Sequence, residues 1–224
     1  MLVLSLCPGI DLLGLAFKRE GFCVVQGGDV IYGGDIRDEH YPPGKFDGVI
    51  SGPPCQAFSA LATLQRANGC QPRFGNLIPE FERCVREAEP EWFLMENVPG
   101  APEPEVPWFE VHSLTLNNRW LGEDQNRVRR FSFGTRDGRK LLPEVAVFES
   151  RTFKGAVTSS DGGKAVRMSR YKVPEACVLQ GLPATFMDHA PFTVEGKLRA
   201  VANGVPIPMG RAIARAVREA TAAR

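Results

Sequence analysis

Short apolar runs, separated by glycine and proline, recur along the first part of the chain. Runs of this length with such boundaries are typical of buried strands, and they predict strands over residues 2–6, 22–26, 46–50, 92–95 and 130–133. Between and after them, apolar residues recur at helical spacing. This spacing predicts helices over residues 12–20, 78–87, 174–180 and 209–223.

The alternation of strands and helices predicts an α/β fold with a mostly parallel sheet and helices on both of its faces. Residues 135–166 differ, because Gly, Ser, Thr and basic residues replace the periodic pattern. We predict a loop-rich insertion there. Polar residues that directly follow the buried strands are the candidates for function, because ligands of open α/β sheets bind at the carboxyl ends of the strands.

Composition adds limits to this picture. A chain of 224 residues with 43% hydrophobic residues can bury the core of one domain. No apolar run approaches the roughly 20 residues of a membrane-spanning helix. The apolar N-terminus lacks a basic region and a small-residue cleavage site, so it predicts a buried strand rather than a signal peptide, with the cytoplasm as the default compartment.

Cysteine spacing and charge limit which metal ions, disulfides and macromolecular partners the chain could have. The six cysteines lie far apart without a C-x-x-C pair, which predicts neither a metal site nor a disulfide framework. Net charge is +1, but residues 119–172 carry 13 Lys and Arg against 6 Asp and Glu. This excess has two interpretations, a solvated surface segment or a footprint for nucleic acid.

The run SGPPCQAFS places Cys55 in a stiff loop directly after a predicted strand. Proline fixes the backbone, so this loop can present a thiol to a substrate. A buried structural cysteine beside a turn is the alternative. The next predicted strand, in EWFLMENVPG, ends at Glu96, whose carboxylate is a candidate acid or base.

A third segment, DQNRVRRFSFG, contains Arg127 and Arg129 at the entry to a strand. Residues two apart on a strand project to the same side, so we expect the two guanidinium groups to point together. The alternative is a pair of solvated residues at the edge of the sheet.

Taken in order, these segments resemble the DNA cytosine-5 methyltransferase family. SLCPGIDLLGLAF, GGDIRD and GPPCQAFS stand in the places of the first cofactor motif, the adenine-contacting turn and the nucleophile loop, and ENVPG, QNRVRR, PEACVLQGLP and ANGVP follow in the family's order. The individual strings are weak, whereas their joint order is specific. Compact chains of this pattern look similar to methyltransferases borne by phages and prophages.

The resemblance implies that the Cys55 thiolate adds to C6 of cytosine, which makes C5 able to attack a methyl sulfonium. Glu96 then serves as the acid near N3. Arg127 and Arg129 stabilise the charge that develops at O2, and the second arginine also fixes the glutamate. Gln56 and Ser59 are expected to hold the DNA backbone and the pocket, or only to cap the loop.

The resemblance also implies S-adenosylmethionine as the cofactor. Its methionine part would lie at the turn Pro8, Gly9, Ile10 and Asp11, although Ile10, Asp11 and Leu12 replace the second half of the usual glycine-rich turn. The other candidates are Asp29 for the ribose, Asp35 and Ile36 for adenine, Pro54 in the nucleophile loop, and Asn203 and Val205 near the methionine end. A turn-capping role is the alternative for Asp35.

A thiolate cannot reach a base inside a duplex, so the implied partner is double-stranded DNA with the target cytosine flipped out, or a single strand. We expect a catalytic core over residues 1–134, a small target-recognition insertion over 135–167, and a return to the core over 168–224. Phosphate contacts are expected from basic residues of that insertion, namely Arg136, Arg139, Lys140, Arg151, Lys154 and Lys164.

Two other functions stay open. One is a tRNA cytosine-5 methyltransferase, which is disfavoured because no cysteine-phenylalanine-threonine string of that branch occurs around Gln125. The other is a catalytically silent nucleic-acid-binding protein of the same fold, which the joint presence of Cys55, Glu96, Arg127 and Arg129 disfavours.

Overall fold

The computed structural model describes residues 1–54, 58, 75–146, 153–158 and 170–222. In these ranges eight strands occur, β1 to β8 in chain order: Leu2–Leu6, Cys23–Gln26, Gly48–Ser51, Trp92–Asn97, Glu110–Asn117, Gln125–Asn126, Val128–Thr135 and Lys154–Gly155. The α-helices, α1 to α5 in chain order, are Leu12–Arg19, Ile78–Ala88, Val173–Leu179, Val194–Asn203 and Ile207–Ala222. Short 3-10 helices cover Val30–Tyr32, Ile36–Asp38 and Asn118–Leu121.

Six strands form one sheet in the order β2-β1-β3-β4-β7-β5. The first four are parallel, whereas β7 runs antiparallel to both β4 and β5. The predicted α/β class with a mostly parallel sheet is therefore confirmed. We call the side on which β1, β3 and β4 terminate the carboxyl end of the sheet, and the opposite side the amino end.

The central strands are apolar because both of their faces are covered. Every residue of β3 and β4 is buried, as expected for parallel strands between two helical layers. On one face Phe17 of α1 and Ile213 of α5 pack near Trp92. On the other face Phe81 of α2 packs near Phe93. The helices therefore cover both faces, as predicted.

Two glycines make room for the large aromatic rings of β4. A Cβ atom on Gly48 would lie 2.2 Å from the Trp92 ring, and one on Gly134 would lie 2.2 Å from the Phe93 ring. These distances are far below a van der Waals contact, so the neighbouring strands approach the rings closely only because both positions lack a side chain.

Four elements were not predicted from the sequence: β5, β6, β8 and α4. Strand β5 lies at the edge of the sheet, and all of its residues except Leu116 are exposed or half-buried, so it lacks an apolar run. Helix α4 begins after Thr193, whose side chain accepts a hydrogen bond from Gly196 N at 3.1 Å. Within the described ranges, no helix has both the length and the apolar character needed to cross a bilayer.

Candidate active site

The loop that leads to Cys55 is tied to the tip of β4. Asn97 is buried, and its Nδ2 donates a hydrogen bond to the Pro53 carbonyl at 3.3 Å. Its Oδ1 accepts from Val98 N at 2.8 Å, which fixes the amide orientation. Pro54 is half-buried at the end of this loop, whereas Cys55, Gln56 and Ser59 lie outside the described residues.

Glu96 and Arg129 form an ion pair at the carboxyl end of the sheet. Arg129 Nε lies 2.8 Å from Glu96 Oε1, and the two side chains are only 17% and 9% exposed. The antiparallel register of β4 and β7 explains this contact, because it places the start of β7 beside the end of β4. The resemblance implied such a pairing for the second arginine of the motif.

The second Glu96 oxygen faces the loop that leads to Cys55. A Cβ atom on Gly52 would lie 3.2 Å from Glu96 Oε2, so glycine leaves the space between the loop and the carboxylate open. The structure thus brings together Glu96, Arg129 and the segment that directly precedes Cys55.

Arg127 makes different contacts from Arg129. It is 3% exposed, and its guanidinium donates to the carbonyls of Val157 at 2.9 Å, Ala202 at 2.8 Å and Gly204 at 3.1 Å. We expected the two guanidinium groups to point together, but Arg127 binds backbone carbonyls whereas Arg129 binds Glu96. Strand β7 begins only at Val128, so Arg127 lies before it and the two-residue alternation of a strand does not apply.

Two buried glutamines belong to the same polar cluster. Gln180 donates through Nε2 to the carbonyls of Val201 at 2.7 Å and Gly204 at 3.1 Å. Gln125 donates through Nε2 to the Leu179 carbonyl at 2.5 Å. We call Gln125, Arg127 and Gln180 the glutamine–arginine cluster. Neither glutamine was predicted as a functional residue. A fully buried amide needs such partners, and the position of Gln180 directly after the apolar run 176–179 is the signal that could have found it.

Arg130 was also missed. Its guanidinium donates to the carbonyls of Pro99 at 3.3 Å, Ala101 at 2.6 Å and Pro102 at 2.7 Å. Because backbone carbonyls need partners, this arginine fixes the loop that follows Glu96 and Asn97.

The expected cofactor turn lies between β1 and α1. Gly9 N donates to Asp29 Oδ2 at 2.9 Å, which joins this turn to the end of β2. The other Asp29 oxygen accepts from Ile31 N at 3.0 Å and caps the 3-10 helix at Val30–Tyr32. Pro8, Gly9 and Ile10 are half-buried around this contact.

Asp11 occupies the turn position where the family's glycine-rich pattern is interrupted. Its φ of 54° is left-handed, a conformation that Asp tolerates better than most residues. The buried carboxylate accepts from Ser5 Oγ at 2.8 Å, Gly14 N at 3.1 Å and Gln26 Nε2 at 2.8 Å. Asp11 therefore caps α1 and holds the turn through contacts within the protein.

Burial and the nearby Asp29 carboxylate raise the pKa of the Cys7 thiol to about 12. Cys7 is therefore a protonated thiol at neutral pH. Its φ of 49° continues the tight backbone of the turn.

The second expected cofactor segment follows β2. Asp35 Oδ1 accepts from Arg37 N at 3.0 Å and caps the 3-10 helix at Ile36–Asp38. Hydrogen bonds from Arg37 lower the pKa of Asp35 to about 2. Ile36 is 3% exposed, and its carbonyl accepts from Arg83 Nη2 at 2.6 Å. The capping role is thus present in the structure.

Three exposed apolar residues directly follow Asp29. Val30, Ile31 and Tyr32 are 48%, 41% and 66% exposed. They were not predicted as functional residues, because three apolar residues after a strand carry no periodic signal. Their exposure beside a carboxylate at the end of β2 is the feature that could have drawn attention to them.

The ANGVP segment connects α4 to α5. Asn203 is exposed at the last position of α4, whereas Val205 is 4% exposed in the core. A Cβ atom on Gly204 would lie 2.5 Å from Leu12 Cδ1, so the segment packs directly against the start of α1. The structure therefore brings this segment beside the turn between β1 and α1.

The expected phosphate-binding residues separate into two groups. Arg136, Arg139 and Lys140 follow Thr135, which pairs with Trp92 at the amino end of the sheet. Arg139 Nη1 donates to the carbonyl of Ala220 in α5 at 2.8 Å. These three residues lie a full strand length from Glu96, and they do not form one surface with it.

Lys154 lies near the carboxyl end of the sheet instead. It pairs with Gln125 in a two-stranded ribbon of β6 and β8, beside the glutamine–arginine cluster. Arg151 and Lys164 lie outside the described residues. Of the expected phosphate contacts in the described ranges, only Lys154 accompanies the candidate site.

Comparison with known proteins places this geometry in a family. Residues 22–161 match the model of the C-5 cytosine-specific DNA methylase family, and this range contains Cys55, Glu96, Arg127 and Arg129. Type II methyltransferase M.FnuDI of Fusobacterium nucleatum is 32% identical over 167 residues, which are 61% of this chain and 47% of that protein. Type II methyltransferase M1.HphI of Haemophilus parahaemolyticus is 33% identical over 127 residues, which are 50% and 34% of the two chains. The matches thus span less than half of these relatives.

Solved structures share the fold over nearly the whole chain. Entamoeba histolytica methyltransferase EhMeth has a TM-score of 0.70 at 11% identity and covers 98% of each chain. A protein encoded within prophage Cp of E. coli, described as a DNA modification methyltransferase, has a TM-score of 0.66 at 17% identity and covers 99% of each chain. At these identities the likeness establishes the fold alone.

Proposed function

We propose, since the chain belongs to the C-5 cytosine-specific DNA methylase family, that it is a DNA (cytosine-5)-methyltransferase. The observation that carries this proposal is the Glu96–Arg129 ion pair, whose carboxylate faces the loop leading to Cys55. An acid, a cation and a cysteine loop at one end of the sheet are the groups that thiolate addition to cytosine requires.

In the proposed reaction, the Cys55 sulfur forms a bond to C6 of cytosine, and the electron pair of the C5–C6 double bond becomes available at C5. Glu96 gives or shares a proton at N3 as negative charge develops on the ring. C5 would then take the methyl group as the donor's carbon–sulfur bond breaks. The C5 proton leaves to water or a loop group, N3 returns its proton to Glu96, and the bond from Cys55 sulfur to C6 breaks to restore the thiolate and the ring. Arg129 orients the Glu96 carboxylate throughout and stabilises the charge at O2.

S-adenosylmethionine would supply the methyl group as an electrophilic sulfonium. The residues at the carboxyl ends of β1 and β2 fit such a molecule, because the Asp29 carboxylate adjoins exposed Val30 and Ile31. A carboxylate suits the ribose hydroxyls, and exposed apolar side chains suit the face of a purine. Gly9 and Ile10 would provide backbone near the methionine part, together with Asn203 and Val205.

In this proposal the side chains of Asp11 and Asp35 shape the cofactor turns rather than contacting the cofactor directly, and Ile36 contributes only its backbone. The Asp11 carboxylate already accepts three hydrogen bonds from the protein, so it shapes the turn rather than binding the cofactor. Asp35 caps its own turn, which would present the backbone of Ile36 to the adenine ring.

Arg127 acts in this proposal as a positioning residue. It joins Gly204, next to the expected cofactor contacts, to the strand that carries Arg129. Replacing Arg127 is therefore expected to raise KM for S-adenosylmethionine as well as to lower kcat, whereas replacing Arg129 should act mainly on kcat.

The proposed substrate is DNA whose target cytosine leaves the helix, because the Cys55 loop cannot reach a base inside a stacked duplex. Gln56, Ser59 and Lys154 are the proposed contacts to the DNA backbone. Because the predicted target-recognition insertion over residues 135–167 has only about 30 residues, we expect a short recognition sequence of about two to four base pairs, read from a small contact area. Modification mapping with the purified chain tests this, and a unique site of six or more base pairs would contradict it.

Covalent trapping tests the proposed function itself. Duplex DNA that contains 5-fluorocytosine should form an adduct with the protein in the presence of S-adenosylmethionine, since fluorine at C5 cannot leave as a proton. Cys55→Ala should abolish the adduct, and Cys23→Ala is the matched control because Cys23 is an exposed thiol on β2. Equal trapping by the Cys55→Ala variant would refute the nucleophile. Trapping of 5-fluorocytosine RNA but not DNA would favour the tRNA alternative.

A further inference from the structure

The ribbon of β6 and β8 stands apart from the central sheet at its carboxyl end. Gln125 and Asn126 of β6 pair in parallel with Lys154 and Gly155 of β8, and Lys154 N also donates to the Asp124 carbonyl at 2.8 Å. Gln125 and Arg129 are four positions apart in the chain, a span of at most about 14 Å. The ribbon therefore lies within the width of a DNA duplex bound at the Glu96–Arg129 pair.

Contacts on both strands hold the ribbon in place. Gln125 is fully buried and bound to α3, as described above, and the Tyr171 hydroxyl donates to the Gly155 carbonyl at 2.8 Å. The Arg170 guanidinium packs against the backbone of Gly155, where a Cβ atom would lie 2.0 Å from Nη1. The residues at the ends of the ribbon are thus carried on a fixed support.

Phe153, directly before β8, presents an aromatic ring from this support. Phe153 is 60% exposed, and the Arg119 guanidinium carbon lies 4.7 Å from the ring centroid. A cation at that distance is a cation–π contact, which orients the ring and covers one of its faces. Trp120, 39% exposed, follows Arg119 in the chain.

The charges around the ring are mixed. Arg119, Lys154 and Arg170 belong to this region, but so do Glu123 and Asp124. The charges alone therefore do not indicate that this region binds a polyanion. An exposed aromatic ring beside an arginine and a lysine is instead the arrangement that stacks on an unpaired nucleobase while the lysine contacts the adjacent phosphate.

We propose that Phe153 stacks on a nucleobase beside the target cytosine, and that Lys154 contacts a flanking phosphate. The physical reason is that a flipped cytosine leaves its neighbours without a stacking partner on one side. The exposed ring of Phe153 replaces that lost partner. This inference rests on the proposed function, because it assigns residues to the DNA of the same site.

Binding without cofactor tests the inference separately from methyl transfer. The probe is a fluorescein-labelled, mixed-sequence, cytosine-containing oligodeoxynucleotide, used as a single strand and as its duplex and followed by fluorescence anisotropy. Phe153→Ala should weaken binding of the single strand by about 5- to 150-fold, whereas Phe153→Trp should retain it, because stacking needs only an aromatic face. Since Phe153 is mostly exposed, both variants should unfold at the same temperature as the unaltered protein.

Matched controls come from the amino end of the sheet. Trp108 is 83% exposed there, so Trp108→Ala removes an exposed aromatic ring away from the site and should leave binding unchanged. Lys154→Gln should weaken binding and reduce its salt dependence, whereas Lys140→Gln should do neither.

The outcomes separate this inference from the proposed function. Methyl transfer to DNA with unchanged Kd in Phe153→Ala would overturn the inference and leave the function standing. Phe153-dependent binding without any methyl transfer would support the stacking site and refute the function. An equal loss in Trp108→Ala, or tighter Phe153-dependent binding of the matching oligoribonucleotide, would overturn the assignment to this DNA site.

Discussion

Glu96→Gln separates the chemical role of the carboxylate from its structural role. The amide oxygen of Gln can still accept a hydrogen bond from Arg129 Nε, which lies 2.8 Å from Glu96 Oε1. Gln cannot deliver a proton to N3 of cytosine. The substitution therefore keeps most of the contact and removes the acid.

The expected magnitudes differ for the two roles. Loss of a positioned general acid lowers the rate by about 10²- to 10⁴-fold, which corresponds to about 2.7–5.4 kcal/mol in the activation barrier. A hydrogen bond between charged groups contributes about 1.5–3 kcal/mol to stability, and a neutral acceptor retains roughly half of that. Because both side chains are largely buried, Glu96→Gln should lower the free energy of unfolding by about 1 kcal/mol.

The assay combines single-turnover methyl transfer with urea unfolding. Tritium transfer from labelled S-adenosylmethionine to DNA is measured with the protein in excess, and the free energy of unfolding is measured for the same preparations. Glu103→Gln is the matched control, because Glu103 follows the same strand, lies 4.0 Å from Arg130 and is 51% exposed. It should change neither quantity.

A rate within tenfold of the unaltered protein, that is, a change of the barrier below about 1.4 kcal/mol, would refute the acid role of Glu96. Loss of several kcal/mol of stability together with the rate would refute the separation of roles, since the carboxylate would then be mainly structural.

The remaining predictions concern the fold and the cofactor turn. Gly48→Ala should destabilise the protein by about 1–3 kcal/mol, because the added Cβ would lie 2.2 Å from the Trp92 ring, and an unchanged urea midpoint would show that the strands can move apart. Asp11→Ala should lower the free energy of unfolding by about 2–3 kcal/mol through loss of the cap and strain at φ 54°, whereas Asp11→Asn should cost less; equal losses in the two variants would contradict the capping role. At pH 8 iodoacetamide should label Cys23 and spare Cys7, whose pKa is raised to about 12; peptide mass spectrometry checks this. Because the folded state keeps the Cys7 proton above the ordinary pKa of 9.0, the free energy of unfolding should fall as the pH rises from 9.0 towards 12. Burial also raises the pKa of Cys84, to about 11, so Cys7→Ser should make this fall shallower, and an unchanged slope would contradict the role of Cys7.

The sequence by itself determined the fold class and the parallel part of the sheet. Local apolar runs mark β1 to β4. The strands β1, β3 and β4 are buried, so their positions depend little on distant residues, whereas β2 is an exposed edge strand. The same logic placed Glu96 at the end of a buried strand. The pairing of Glu96 with Arg129 came from the family resemblance, since no local pattern relates two residues so far apart in the chain.

Tertiary structure alone decided what the two arginines contact. Whether Arg127 and Arg129 point together depends on where β7 begins, and β7 begins one residue after Arg127. The guanidinium of Arg127 binds carbonyls that lie 30 to 77 positions further along the chain, and such contacts leave no periodic trace in the sequence.

Tertiary structure also decided which residues of the basic segment 119–172 lie near the candidate site. Its residues are neighbours in sequence, but β7 carries the chain from the carboxyl end of the sheet to the amino end before Arg136 is reached, and the chain has returned by Lys154. Net charge counts residues along the chain, whereas a binding surface collects them in space. The path of the strands therefore decided that Lys154 accompanies the candidate site and that Arg136, Arg139 and Lys140 do not.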